Sequence, residues 1–126
     1  VRLGIIPAVI SPYVIRAIGP RAAHRYFLTA ERFDSATALA LGLVHIVVED
    51  NNGLAKESER LVQQIFSCAP GAIHAAKDLI SAVAGRPIDS HVMSDTARRI
   101  AERRASDEAK EGLSAFLEKR KPKWAE

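Results

Sequence analysis

Cysteine is almost missing from this chain of 126 residues: Cys68 is the only one. That excludes an internal disulfide framework and fits a reducing compartment, so a cytoplasmic protein is expected. No apolar run approaches the length of a membrane span, and no membrane partner is expected. The four histidines, His24, His45, His74 and His91, lack HxxxH or HExxH spacing and have no cysteine pair beside them, so no metal site is expected. Glycines fall singly, without a Walker or dinucleotide fingerprint, and no serine sits in a G-x-S-x-G setting. Charge of one sign is also scarce. The net +3 is too mild to argue for nucleic acid. Arg98-Arg99, Arg103-Arg104 and Lys119-Arg120-Lys121 are interrupted by Glu102, Asp107, Glu108, Glu111 and Glu118, and near them only Phe116 and Trp124 could stack on a base. A nucleic-acid partner is not expected.

Acid–base chemistry is thin as well. Carboxylates stand at helical spacing beside cations, Glu57 near Arg60 and Asp107 near Lys110, which is the pattern of a solvated helix surface. No acid is paired with a base, and no catalytic residue is expected from these residues alone.

What is present is a series of capped helices in a chain sized for one domain, 1–126. Ser11-Pro12 reads as an N-cap and first helical residue, with Gly19 as the stop and free N–H groups turned outward at the start. Pro20 restarts a helix to Leu28, with Ala23, Tyr26 and Phe27 on one face. Asp34 or Ser35 caps a short helix closed by Gly42. The β-branched run Leu43–Val48 predicts one short strand. Asp50-Asn51-Asn52-Gly53 is turn chemistry, and a helix from Leu54 to Cys68 is expected to turn Leu61, Ile65 and Phe66 inward. Pro70 opens another helix, with Ile73, Ala76, Leu79, Ile80 and Val83 as its apolar face and Gly85 beyond it. Pro87-Ile88-Asp89-Ser90 caps a helix expected from His91 to about Arg104. Ser106 then caps a final one, with Asp107 and Glu108 in its first turn. Leu113, Phe116 and Leu117 share a face, Lys119 to Lys121 gather cations at its end, and Pro122 stops it. An aromatic ring and a cluster of cations thereby arrive at one place, an end suited to an anionic partner.

The last stretch, Ser106-Asp107-x-x-x-Glu111-Gly112-Leu113-Ser114-Ala115-Phe116-Leu117-Glu118-Lys119-Arg120-Lys121-Pro122-x-Trp124, resembles the C-terminal signature of the enoyl-CoA hydratase/isomerase (crotonase) family. Arg16-Ala17-Ile18-Gly19, Leu28-Thr29-Ala30 and Ala38-x-x-x-Gly42-Leu43-Val44 are similar to that family's central helices. Val1-Arg2-Leu3-Gly4-Ile5-Ile6-Pro7 is similar to the segment just after its second catalytic glutamate. It carries neither an initiator methionine nor signal-peptide order, and reads as the interior of a longer chain.

The resemblance implies a mainly α structure, the helical C-terminal domain of the crotonase (ClpP/crotonase-like) fold, with the spiral core domain upstream. It implies that both glutamates and the oxyanion-hole amides precede Val1, so this chain alone is expected to be inactive. Phe116 and Lys119 match positions near the adenine and phosphates of CoA, and Leu3 and Ala8 match positions lining the acyl pocket. Ala8-Val9-Ile10-Ser11 stands where the family commonly has a glycine-rich run. A similar Pro-Ala-Val-Ile-Ser run occurs in hydratases of methylglutaconyl-type substrates. The implied substrate is an acyl-CoA thioester, with no cofactor beyond the CoA it carries, in a homo-oligomer built on trimers. Isomerase or acyl-CoA hydrolase chemistry on the same fold remains open, as does a non-enzymatic helical oligomerisation module, which the composition alone fits equally well.

Overall fold

Proline, capping carboxylates and glycine divide the sequence into six helices among the residues described, 1–125, of a computed structural model. They are α1 (Ser11–Thr29), α2 (Ser35–Ala40), α3 (Asn51–Phe66), α4 (Pro70–Val83), α5 (Ser90–Ala105) and α6 (Asp107–Leu117), with a 3-10 turn at Lys123–Ala125. The mainly α expectation holds, with about two-thirds of the residues helical. The strand does not form. Leu43 and Val44 both donate their N–H to the Ala38 carbonyl at 2.9 and 3.4 Å, which ends α2. Beyond them no described segment offers a ladder to 45–48, and a β-branched run without a partner stays irregular. No helix among the described residues is long and apolar enough to cross a membrane.

The chain forms two compact units, Val1–Leu54 and one running from Ala55 onward. In the first, α1 is two helical pieces meeting at Gly19, whose φ of 76° and ψ of 162° leave the helical region just before Pro20. Proline disfavours a helical conformation in the residue before it, and only glycine adopts this one without strain. Ser11 does not cap α1. Ile10 occupies the cap position, and the Ser11 hydroxyl donates backwards to the Ala8 carbonyl at 2.8 Å. The N–H groups of Ser11, Tyr13 and Val14 are all taken by the carbonyls of Ala8 and Ile10. The free donors expected at this helix start are therefore occupied. Ala23 and Ala38 are the buried residues of this unit. Tyr26 and Phe33 stack tilted with centroids 4.7 Å apart, and the Arg25 guanidinium lies over Tyr26 while pairing with Glu31.

Asp50 turns the expected loop into a helix start. Its Oδ1 accepts from the Gly53 amide at 2.7 Å, so α3 begins at Asn51 rather than Leu54, and it ends at Phe66 rather than Cys68. Leu61, Ile65 and Phe66 are not inward. They are 42, 56 and 66% exposed, and α3 buries no residue among those described. Its periodicity marks an apolar face that the described residues leave uncovered.

In the second unit, α5 packs against both α4 and α6. Asp89 caps α5 through the Val92 amide at 2.8 Å, and Val92 and Ala115 are the buried residues. Pro70 supplies the first residue of α4, but no side chain of its own segment caps it. Glu108, thirty-odd residues on, does so from α6: its Oε1 and Oε2 accept from the amides of Gly71 and Ala72 at 2.9 and 3.0 Å. The same carboxylate pairs with Arg103 of α5. A carboxylate at a helix N-terminus satisfies two orphan donors and meets the positive end of the dipole. Gly71 leaves room for this carboxylate, since a Cβ would lie 2.8 Å from Glu108 Oε2 and 2.9 Å from Arg103 Nη1 and would push those side-chain ends aside.

Candidate functional site

The end of α6 combines an exposed ring, a lysine without an ion pair among the described residues, and a fixed backbone. Ser106 caps the helix, its Oγ accepting from Ala109 N at 3.2 Å, and Asp107 and Glu108 fill the first turn. At the other end the chain reverses by two bonds. Lys119 N–H donates to the Phe116 carbonyl at 3.2 Å and Arg120 N–H to the Ala115 carbonyl at 3.0 Å. That pair of bonds is the Schellman closure, which requires a left-handed residue between helix and tail. Lys119 is that residue, with φ of 56°. The helix thus stops at Leu117, and the cations expected in its last turn lie in the reversal and beyond it.

Side chains hold the reversal in place. Arg120 Nη1 and Nη2 donate to the two Glu111 oxygens at 2.7 and 3.1 Å, and Arg120 Nε donates to Glu118 at 2.7 Å. The Lys123 amide donates to Glu111 Oε1 at 3.1 Å. Trp124 then covers Gly112, where a Cβ would stand 3.0 Å from the indole. Phe116, by contrast, is 79% exposed, and Lys119 enters no ion pair or side-chain hydrogen bond found among the described residues. Phe116, near the end of α6, and Lys119, in the reversal after it, are tied through the backbone by the bond from the Lys119 N–H to the Phe116 carbonyl.

The Arg120 guanidinium holds the Glu111 carboxyl down at about 2; partial burial opposes this, and the Lys123 amide adds to it. Arg120 is raised in turn, first by Glu111 and then by Glu118. A carboxyl depressed on folding stabilises the fold above its unfolded value, near 4.5, and that contribution is lost as pH falls toward 2. We therefore expect the urea midpoint to fall between pH 5 and pH 2.5, and to fall less in Glu111→Gln. Equal acid sensitivity of the two proteins would show that Glu111 does not carry this titration.

In the first unit, Leu3, Ile5, Ile6, Ile10, Val14 and Phe27 line part of an open apolar hollow of about 580 Å³. Leu3 is 85% exposed on its wall. Ala8 is exposed and stands outside the lining, its carbonyl bound to Ser11. Elsewhere the carboxylates serve structure. Asp34, Asp50 and Asp89 cap helices, while Glu57, Asp95, Glu102 and Asp107 pair with cations.

Sequence reasoning missed the roles of Glu111 and Glu108. Glu111 and Arg120 are nine residues apart, no helical spacing, and meet only because the chain reverses at Lys119. Glu108 reads as an ordinary first-turn acid until α4 is seen to start against it.

Comparison with known proteins places this arrangement among relatives. The enoyl-CoA hydratase/isomerase family model matches residues 1–126. A Legionella pneumophila structure assigned to the enoyl CoA hydratase/isomerases (crotonases) is 47% identical, with a TM-score of 0.89 over 98% of this chain and 47% of that one. An enoyl-CoA hydratase structure from Shewanella pealeana is 45% identical, with a TM-score of 0.87 over 98% of this chain and 45% of that one. A carnitinyl-CoA dehydratase of Citrobacter koseri is 32% identical over 98% of this chain and 48% of its own length. The chain spans about half the length of the curated relatives it matches.

Proposed function

Because the chain belongs to the enoyl-CoA hydratase/isomerase family, we propose that it forms the helical, CoA-contacting part of an enzyme that adds water to a 2-enoyl-CoA thioester. One observation carries this reading: the open Phe116 ring and the unpaired Lys119 ammonium share the fixed end of α6. An aromatic face packs an adenine, and an ammonium pairs with phosphate oxygens. The apolar hollow beside Leu3 suits the acyl chain, and Ala8 follows it on the same loop. No further cofactor is invoked, since the nucleotide belongs to the substrate.

The chemistry itself lies outside this chain in this reading. Hydration needs an acid–base pair and donors to the thioester oxygen. Asp34, Asp50, Asp89 and Glu108 cap helices, and Glu57, Asp95 and Glu111 hold guanidinium groups, so in this reading they serve structure. The exposed apolar face of α3, with Leu61, Ile65 and Phe66, supports assembly into a homo-oligomer, with the rest of the protein or a second copy covering it.

The test is the loss of enoyl-thioester absorbance from a short 2-enoyl-CoA, this chain beside the full protein that carries it. Turnover by the full protein and a blank rate from the chain are the expected result. Steady turnover by the chain alone would overturn its assignment as a binding part. A full protein that shifts the double bond or releases free CoA would instead be an isomerase or a hydrolase.

A further inference from the structure

The chain closes two helices with the same pair of backbone bonds, and the two closures differ in one residue. At the end of α2, Gly42 N–H donates to the Leu39 carbonyl at 3.0 Å and Leu43 N–H to Ala38 at 2.9 Å, with Gly42 in the left-handed position at φ of 75°. At the end of α6 the left-handed position holds Lys119. Glycine takes that conformation freely, whereas a residue with a Cβ is strained in it. Such strain persists only where the surroundings over-determine the backbone, and it gathers where a side chain is used.

The surroundings here are specific. The residue after Lys119 is Arg120, whose three nitrogens are fixed by Glu111 and Glu118, and Glu111 also receives the Lys123 amide. Glu111 lies back on α6, two turns before the reversal, so it ties the outgoing tail to the helix body. Lys119 itself takes no part in this network. Its neighbours are fixed while its own ammonium is left free.

We propose that Glu111 and Arg120 are positioning residues for the nucleotide end of the acyl-CoA, holding the left-handed turn from which Lys119 reaches the phosphates while Phe116, just before it, meets the base. The proposal rests on the reading of Phe116 and Lys119 as CoA contacts. It adds two residues that touch no substrate and a reason for lysine where glycine fits better. With the clasp released, the tail is free to leave the left-handed conformation, and Lys119 loses its fixed backbone placement after Phe116.

The experiment compares KM for a 2-enoyl-CoA with KM for the same acyl group on N-acetylcysteamine, which has no nucleotide, in the full protein carrying this chain. Calorimetric binding of CoA itself gives a readout independent of turnover. Lys119→Ala tests the underlying reading: about a tenfold rise in KM and in the CoA Kd is expected, from the loss of a charge-assisted contact. Glu111→Gln is expected to raise both about fivefold, leaving kcat and the cysteamine thioester KM unchanged. A general loss of folding would move both substrates together and would overturn the positioning role. Should Glu111→Gln not fold, Arg120→Lys keeps the charge but not the fork and is expected to show the same split at about threefold. If Lys119→Ala raises KM while neither clasp variant does, the proposal falls and the CoA reading stands. If Lys119→Ala changes nothing, the CoA reading falls with it.

Discussion

Glu108→Ala is expected to lower the unfolding free energy of the second unit by about 2–4 kcal/mol. The side chain is mostly covered, and it satisfies two amides at the start of α4 while pairing with Arg103 of α5. Alanine removes all three interactions at once and leaves the Gly71 and Ala72 donors and the guanidinium without acceptors. Unpaired, partly buried donors cost more than the bonds they lose, because they are shielded from water that would otherwise replace the partner. Urea unfolding followed by far-UV circular dichroism measures the change. Glu108→Gln keeps an acceptor oxygen but not the charge, so about half the loss is expected from it. A shift below about 0.5 kcal/mol for the alanine variant, the size of an ordinary surface substitution, would mean the clamp does not hold α4 in solution.

Gly19→Ala has the second-largest expected effect, a loss of about 1–3 kcal/mol. The cause is entirely backbone. A Cβ at Gly19 meets nothing within 4 Å, so no clash contributes. Instead, φ of 76° with ψ of 162° lies in a region open essentially to glycine, and Pro20 blocks the escape to a helical conformation. Gly19→Val is expected to exceed the alanine variant, since a β-branched side chain tolerates positive φ least. The measurement is the thermal midpoint together with the near-ultraviolet signal of Tyr26, in the second piece of α1. An unchanged midpoint in both variants would show that α1 passes through this point without a break.

Much of the helical frame was legible from local chemistry. Pro70, Asp34, Asp89 and Ser106 mark helix starts that the structure keeps, because a cap acts within three residues of itself. The surface pairs Glu57–Arg60 and Asp107–Lys110 formed for the same reason. The strand at 43–48 failed because β structure is a property of a pair, and the described residues supply no second member. The inward face of α3 was misjudged because periodicity reports that a face is apolar, not that something covers it. Ser11 misled as well: a serine before proline has the composition of a cap, but its hydroxyl found a carbonyl behind it instead.

The candidate site divides along the same line. Sequence by itself determined that an aromatic ring and cations lie at the end of a short capped helix, since Phe116 and Lys119 to Lys121 follow one another just before Pro122. It also determined the family, through a run of residues whose order is specific. Only the tertiary structure decided which cation of the tail is held. Arg120 is held by Glu111 and Glu118, and Lys119 stands in the left-handed turn with its charge unpaired. The reason is the reversal of the chain, which brings residues nine and twelve positions apart into hydrogen-bond reach and gives each cation a different neighbour, a distinction no local pattern contains.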